Sequence, residues 1–485
     1  MELHEHLYVG GRWVPAATGK WIDVLDPTTA QAFARVPRAG DEDVDRAVDA
    51  AHAAQPEWAA TPPAERADAL RRLAGGLQRR QAELADLLVR EAGIPYSLAH
   101  GHQTSFPIRM LEQQAFLIES HVLEERVGGS LVLREPVGVV AALAPWNFPL
   151  LLAINKVAPA LAAGCAVILK PSEQSPLHAL VLAETADQAQ LPAGVFNVLT
   201  GNGPEVGRAL AAHPRIAMVS FTGSTEAGRR VGSLAGATLK RVQLELGGKS
   251  ANVVLDDADV ELAVRTGVQQ CFWNSGQSCM AWSRLLAPHA LHDDIAELAA
   301  AVAREHVVGD PRDPRTLIGP MISARQAQRV RDLVGQGCDE GAVLVAGGSR
   351  RPAELGDGFF VQPTVLAGVR NDMAVARQEI FGPVLSIIPY HHGDDEAVQI
   401  ANDSPYGLHG AVFSADQARA LDVARRLQTG MVDINGAPLN EWAPFGGYKA
   451  SGIGRELGRH GLDEYFELKS VQCRFSPTIT ADRRS

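Results

Sequence analysis

Between Val137 and Leu255 the chain repeats one pattern five times. Short apolar, β-rich runs at Val137 to Leu143, Ala166 to Leu169, Phe196 to Leu199, Ile216 to Phe221 and Val242 to Leu246 are separated by stretches of helical spacing. Strands that alternate with helices predict a parallel sheet, because parallel neighbours need a long crossover and the helix supplies it while covering a face. After Gly247 a helical stretch from Asp259 to Ser275 opens a second α/β alternation that runs through Phe445. At 485 residues the chain exceeds what one core organises, so two or three lobes are expected. Upstream, Tyr8 to Pro27 reads as a surface hairpin. Asp41 to Ala53 and Pro63 to Ala92 read as covering helices with Asp41 and Thr61 placed as caps. Val122 to Arg134 alternates around Gly128-Gly129, a hairpin whose apolar face has no partner in its own lobe.

Composition narrows the class. Apolar residues make up 46% and charged residues 21%, as in ordinary globular proteins, and a formal net charge of −11 disfavours a nucleic-acid partner. The run Leu150 to Leu169 is broken by Asn155, Lys156, Pro159 and Gly164, so it predicts a helix, a turn and a buried strand rather than a membrane span. The first residues carry no signal-peptide core, and Thr478 to Ser485 reads as a frayed polar end. Five cysteines without Cys-x-x-Cys spacing predict a reducing, cytoplasmic compartment in which a free thiol stays reactive. Histidines show no metal-ligand spacing, so no metal is expected.

Three stretches carry chemistry. In Phe272-Trp273-Asn274-Ser275-Gly276-Gln277-Ser278-Cys279 a thiol follows a Gly-Gln turn, which presents a nucleophile. In Leu244-Glu245-Leu246-Gly247-Gly248-Lys249, thirty-four residues upstream, a carboxylate sits in an apolar run before two glycines. In Pro145-Trp146-Asn147-Phe148-Pro149 an amide is fixed between prolines. Thiol, carboxylate and amide together suit acyl chemistry at a carbonyl carbon. Taken singly, each has a plainer reading: a buried Cys is usually inert packing, Glu245 could pair with Lys249 or Arg241, and Asn147 could be a turn residue. Two further stretches suggest a dinucleotide. Phe221-Thr222-Gly223-Ser224-Thr225 runs from a strand into a helix start, whose free amides attract phosphate, or is a plain capped helix, since the Gly-x-Gly-x-x-Gly pattern is absent; Lys170-Pro171-Ser172-Glu173 lies at the carboxyl end of a strand, or is a surface Lys and Glu on a turn.

These stretches, joined by Glu379-Ile380-Phe381-Gly382-Pro383, resemble the aldehyde dehydrogenase superfamily from near Gly10-Gly11 to Phe466-Glu467. The resemblance implies a Rossmann-like NAD-binding domain from residues 1–118 and 137–247, an α/β catalytic domain over 248–450, and a small β oligomerisation arm from 119–136 and 464–478. Within that arm the Val122 to Arg134 hairpin would pair with the late strand near Glu467 to Phe475 of a neighbouring subunit, in a homodimer or homotetramer. It implies that Cys279 attacks an aldehyde, that Asn147 and the Cys279 backbone N–H hold the oxyanion, and that hydride leaves to NAD. Glu245 would then activate water to hydrolyse the thioester, with Lys156 relaying protons. Trp146, Lys170, Ser172, Glu173, Gly223, Ser224, Glu379 and Phe381 would hold the cofactor, with NADP disfavoured by the Glu173 carboxylate at the ribose. Phe148, Leu151, Trp282, Trp442 and Phe445 would line the substrate pocket, beside Asn155, Ser278 and Met280. That mostly apolar set predicts an uncharged medium-chain or aromatic aldehyde, although Glu441 beside Trp442 could instead favour a cationic amino-aldehyde. A CoA-acylating semialdehyde dehydrogenase is disfavoured by the presence of Glu245. A catalytically silent binding protein on the same fold is disfavoured by the presence of Cys279, Glu245 and Asn147 together.

Overall fold

A computed structural model describes residues 1–474. The five predicted runs form the centre of an eight-stranded sheet. Its spatial order is Gly452–Ile453, Arg241–Glu245, Met218–Thr222, Val139–Leu143, Ala166–Lys170, Phe196–Val198, Leu7–Val9, Arg12–Val14. The five central strands are mutually parallel, and the hairpin at one edge and Gly452–Ile453 at the other are antiparallel additions. Chain order reverses between Val139–Leu143 and Met218–Thr222, since the next strand after Val139–Leu143 is placed on its far side. That reversal opens a crevice at the carboxyl ends of the two strands, the place where open α/β sheets bind ligands.

The Leu150 to Leu169 run resolves into the helix Pro149–Ala163, a left-handed turn at Gly164 and the strand Ala166–Lys170, with every residue of that helix buried. Its apolar surface all round fits a helix enclosed by protein. Among the described residues no helix is long and apolar enough to cross a membrane. The second alternation forms a seven-stranded sheet, parallel but for one edge. Its order is Val343–Ala346, Thr364–Ala367, Val384–Tyr390, Arg284–Pro288, Ala251–Val254, Gly410–Phe413, Asp433–Ile434.

Several expectations are corrected. The helix Asp41–Ala60 runs past Ala53, and its N-cap is Gly40, whose amide donates to Asp43 at 2.9 Å; Asp41 is already helical. Thr61 caps the far end of that helix, its hydroxyl donating to the Glu57 carbonyl at 3.0 Å, and Pro63 opens the next one, where a missing N–H costs nothing. The arm hairpin, Glu124–Val127 and Ser130–Pro136, finds its third strand in the same chain. Phe466–Gln472 pairs antiparallel with it from Phe466↔Pro136 to Gln472↔Ser130, not with a neighbouring subunit. The Arg241–Glu467 ion pair at 2.7 Å helps seat that strand against the first lobe. Thr478 to Ser485 and the end of the expected arm lie outside the described residues.

Candidate active site

The thiol is delivered by a strained turn. The helix Val260–Phe272 ends and the chain passes through three successive left-handed residues, Asn274 (φ 52°), Ser275 (φ 58°) and Gly276 (φ 71°). Only the last is a glycine, so the first two cost about 1–3 kcal/mol each unless their surroundings fix them. Here they are fixed: Ser275 Oγ accepts from the Gly319 amide at 2.9 Å, and Asn274 Nδ2 donates to the Asn147 carbonyl at 2.7 Å. Gly276 cannot carry a side chain, because a Cβ would overlap the Gly382–Pro383 backbone. Cys279 emerges three residues later, partly exposed in the crevice. Burial, and then the carboxylates of Glu379, Glu245 and Glu456, push its thiol far above the usual range, while its own backbone N–H pulls the other way.

Glu245 is the last residue of its strand and pairs across to Gly452. It is buried, and neither carboxylate oxygen has a hydrogen-bond partner among the described residues. Burial, reinforced by Glu456, raises its pKa well above the ordinary carboxylate value, against the opposing pull of Lys156. Gly446, at φ 150°, leaves the room it needs, since a Cβ there would stand 2.6 Å from Glu245 Oε1. Lys156 is wholly buried. Its ammonium donates to Glu456 Oε1 and Thr222 Oγ1, both at 2.6 Å, while Asn155 Nδ2 donates to Glu456 Oε2 at 3.3 Å.

Asn147 sits just past the strand Val139–Leu143. Its Nδ2 donates one hydrogen to the Gln277 carbonyl at 2.9 Å, which orients the amide and leaves the second N–H available. Its own carbonyl is held by Gln103 Nε2 at 3.3 Å as well as by Asn274.

Cys279, Glu245 and Asn147 border a cleft of about 980 Å³ shared with Trp146, Thr222, Gly223, Ser224, Gly247, Glu379, Phe381 and Tyr406. Ser224 caps the helix Thr225–Gly236, accepting from Ala227 N at 3.3 Å, so the amides of Thr225 and Glu226 at the cleft have no acceptor within the helix. Phe381 is left-handed (φ 58°) and meets Trp146 edge to face at 5.3 Å. The helix Ala324–Asp339 clamps this loop, Gln326 donating to the Ile380 and Phe381 carbonyls and Arg329 to that of Glu379. Glu379 accepts from the Gly248 amide at 3.0 Å, and burial raises its pKa to about 7. Free helix-start amides, an aromatic pair and a carboxylate acceptor in one long cleft fit the phosphates, ring and ribose of a dinucleotide. Lys170, Ser172 and Glu173 stand beyond it at the end of the neighbouring strand, Lys170 donating to Pro171 O at 2.6 Å and pairing with Glu173 at 3.4 Å.

Of the expected substrate residues, Phe148, Leu151 and Phe445 lie in the first lobe's apolar cluster, against which Cys279, Met280 and Trp273 pack. Trp442 is half exposed and edge-on to Phe116 at 5.8 Å. Trp282 is not brought to the cleft. It fills the second lobe's core, its indole N–H donating to His409 Nδ1 at 3.2 Å, because the chain has already turned inward toward the strand Arg284–Pro288. Glu456, Gln103 and Asn274 were not anticipated. Only Glu456 had a sequence signal, a carboxylate just beyond the glycine-rich segment that ends at Gly454. Among the described residues no group of His, Cys, Asp and Glu could hold a metal.

The sequence profile of the aldehyde dehydrogenase family matches residues 13–471. A 3-succinoylsemialdehyde-pyridine dehydrogenase from a Pseudomonas species is 46% identical over 473 residues, covering 97% of this chain and 99% of its own. A geranial dehydrogenase from Castellaniella defragrans is 44% identical over 475 residues, 96% and 98% of the two chains. Among solved structures, a mutant of aldehyde dehydrogenase C from Pseudomonas syringae with NAD+ and octanal superposes with a TM-score of 0.96 at 43% identity, covering 98% of both chains. A Mycobacterium tuberculosis aldehyde dehydrogenase with NAD+ also gives 0.96, at 41% identity over 99% and 100%.

Proposed function

We propose, from the premise that this chain belongs to the aldehyde dehydrogenase family and is an NAD-dependent oxidoreductase converting an aldehyde to the carboxylic acid, that Cys279 carries the acyl group and Glu245 releases it. The observation that carries this reading is the meeting at one cleft of Cys279, Asn147 and a Glu245 carboxylate that has no hydrogen-bond partner among the described residues. NAD, when bound, supplies the acceptor for the electron pair of the aldehyde C–H bond. Burial first, and then the Glu379, Glu245 and Glu456 carboxylates, favour the thiol form of Cys279, so its proton is lost to water in the cleft as the carbonyl is attacked. The second N–H of Asn147 and the Cys279 amide receive the developing oxyanion, donors of a kind worth about 3 kcal/mol each. Glu245, its pKa lifted toward the working pH, then takes a proton from the water that attacks the thioester. Lys156 and Glu456, in contact behind it, form the exit for that proton.

The substrate is an uncharged medium-chain or aromatic aldehyde. Glu441, the acidic group that could have drawn an ammonium, is already paired with Arg109 at 3.5 Å. The names of the relatives, a pyridine semialdehyde and geranial, and the octanal in a similar structure point the same way. Glu173 disfavours a 2′-phosphate, so NAD is preferred over NADP, and Glu173→Gln should narrow the ratio of catalytic efficiencies by about 10-fold. Val127, Leu468 and Val471 remain exposed on the arm sheet, which suits a homodimer or homotetramer. The cysteines described are all free, in keeping with a cytoplasmic setting. The test is a panel of hexanal, benzaldehyde and an amino-aldehyde followed by NADH absorbance. Faster turnover of the amino-aldehyde would reverse the substrate reading, and silence with all three would sink the function.

A further inference from the structure

The helix Pro149–Ala163 carries two polar residues among its fifteen, and they are adjacent: Asn155 and Lys156. Both reach the same carboxylate. Lys156 Nζ donates to Glu456 Oε1 at 2.6 Å and Asn155 Nδ2 to Glu456 Oε2 at 3.3 Å, so each oxygen has its own donor. All three side chains are buried, and none of them borders the cleft itself. Backbone pairing brings Glu456 to Glu245. The Glu456 N–H donates to the Phe445 carbonyl at 2.7 Å and its carbonyl accepts from the Phe445 N–H at 2.8 Å, while the next residue, Gly446, is the one whose missing Cβ leaves room for Glu245 Oε1. The strand register agrees, since Glu245 pairs with Gly452, one turn of chain before Glu456.

Packing does not account for an amide at this place. Asn155 Oδ1 is buried with no hydrogen-bond partner among the described residues, and a leucine in this otherwise apolar helix would leave no such acceptor unpaired. Two properties of the amide answer a need of Glu456. A carboxylate held at one oxygen can turn about its own axis, and a second donor on the other oxygen fixes its plane. An amide also matches both charge states of its neighbour: Nδ2 donates to the carboxylate, and after a half-turn the unpaired Oδ1 accepts from the carboxylic acid. Leucine does neither.

We infer that Asn155 is a positioning residue for hydrolysis of the acyl-enzyme, holding Glu456 on Lys156 behind Glu245 so that the proton Glu245 takes from the attacking water passes on to the Glu456 carboxylate. The water oxygen bonds to the thioester carbon, the C–S electron pair returns to the Cys279 sulfur, and Glu245 is a carboxylate again once Glu456 has the proton. This rests on the proposed function and adds a residue to its second half-reaction. It also takes Asn155 out of the substrate pocket, where the sequence had set it.

The test uses the full-length enzyme with NAD and hexanal, and reads stopped-flow NADH absorbance beside steady-state turnover. Asn155→Leu, nearly the same size, should lower kcat about 5- to 30-fold while a burst of roughly one NADH per site persists at a rate within about twofold of wild type, since only deacylation is touched. Asn155→Ala leaves room for a water that donates in the amide's place, so its loss should be smaller, and it carries the same test if the leucine variant does not fold. In a Glu456→Gln background Asn155→Leu should change kcat by less than about twofold, because the carboxylate it positions is gone. Loss of the burst together with turnover, an unchanged kcat in both Asn155 variants, or an undiminished effect in the Glu456→Gln background each overturns the assignment. So does a change of more than about threefold in the hexanal-to-benzaldehyde ratio of kcat/KM, which would return Asn155 to the substrate pocket. Wild-type silence with every aldehyde, or a Glu245→Gln variant with neither burst nor covalent adduct, strikes the proposed function instead.

Discussion

Two buried lysines flank the reaction centre, one from each lobe, and the fold treats them differently. Lys156 sits on the enclosed helix Pro149–Ala163 in direct contact with Glu456 and Thr222. Lys249 follows the Gly247-Gly248 turn, equally buried, but its ammonium nitrogen has no hydrogen-bond partner among the described residues. Burial lowers its pKa to about 7, and Cys271 and Glu379 oppose that only through space. Burial alone therefore does not say whether a lysine is charged; a carboxylate in contact does. The first-lobe flank of Cys279 is a wired set of charges, and the second-lobe flank holds groups poised near neutrality.

The sharpest break would come from the two carboxylates on these flanks. Glu245→Gln should cut steady-state turnover about 10²- to 10⁴-fold while stopped-flow absorbance still shows a burst of roughly one NADH per site. Glu379→Gln should raise KM for NAD without separating burst from turnover. A burst in the second variant and none in the first would invert the assignment. Cys279→Ser should lose burst and turnover together, as the hydroxyl is far less ionised than the thiol.

Stability separates the lysines next. Lys156→Met strands Glu456 as a buried charge and should cost about 3–5 kcal/mol in urea unfolding. Lys249→Met removes a buried amine with no hydrogen-bond partner among the described residues and should leave stability unchanged or raise it by about 1 kcal/mol. Equal losses would erase the contrast.

The smallest expected effect is a pH dependence. With Glu379 at about 7, KM for NAD should fall several-fold, on the order of 5, as pH rises from about 6 to about 8, because the carboxylate is the stronger acceptor for hydroxyls. Glu379→Gln should flatten that slope. The stability sign is opposite: its folded pKa stands above the ordinary 4.5, so the group favours folding most below about 4.5 and that contribution is lost as pH rises through about 7.

The α/β alternation and the motifs around Cys279, Glu245 and Asn147 were legible because each is local, a few residues whose spacing carries its own geometry. Glu456 was not, since its role comes from Gly452–Ile453 joining the edge of a sheet whose neighbouring strand ends two hundred residues earlier, at Glu245. The lone edge of the Val122 to Arg134 hairpin was visible, but not that Phe466–Gln472 of the same chain would fill it. Trp282 looked like a pocket residue by its distance from Cys279. What decided its direction was an indole N–H needing an acceptor, and His409, more than a hundred residues away, provides it.

The bare backbone contact between Gly276 and the Gly382–Pro383 peptide bears on how such enzymes can be recombined. No side chain lies between the loop that presents the thiol and the loop that carries Glu379 and Phe381, so neither has slack to absorb a change in the other. An insertion or a swap of 272–280 alone should misplace both, whereas a chimaera that transfers 272–280 together with 378–383 keeps the contact. The smallest exchangeable module of this site is thus a pair of segments separated by about a hundred residues of chain, cut at positions that no contiguous fragment exchange would choose.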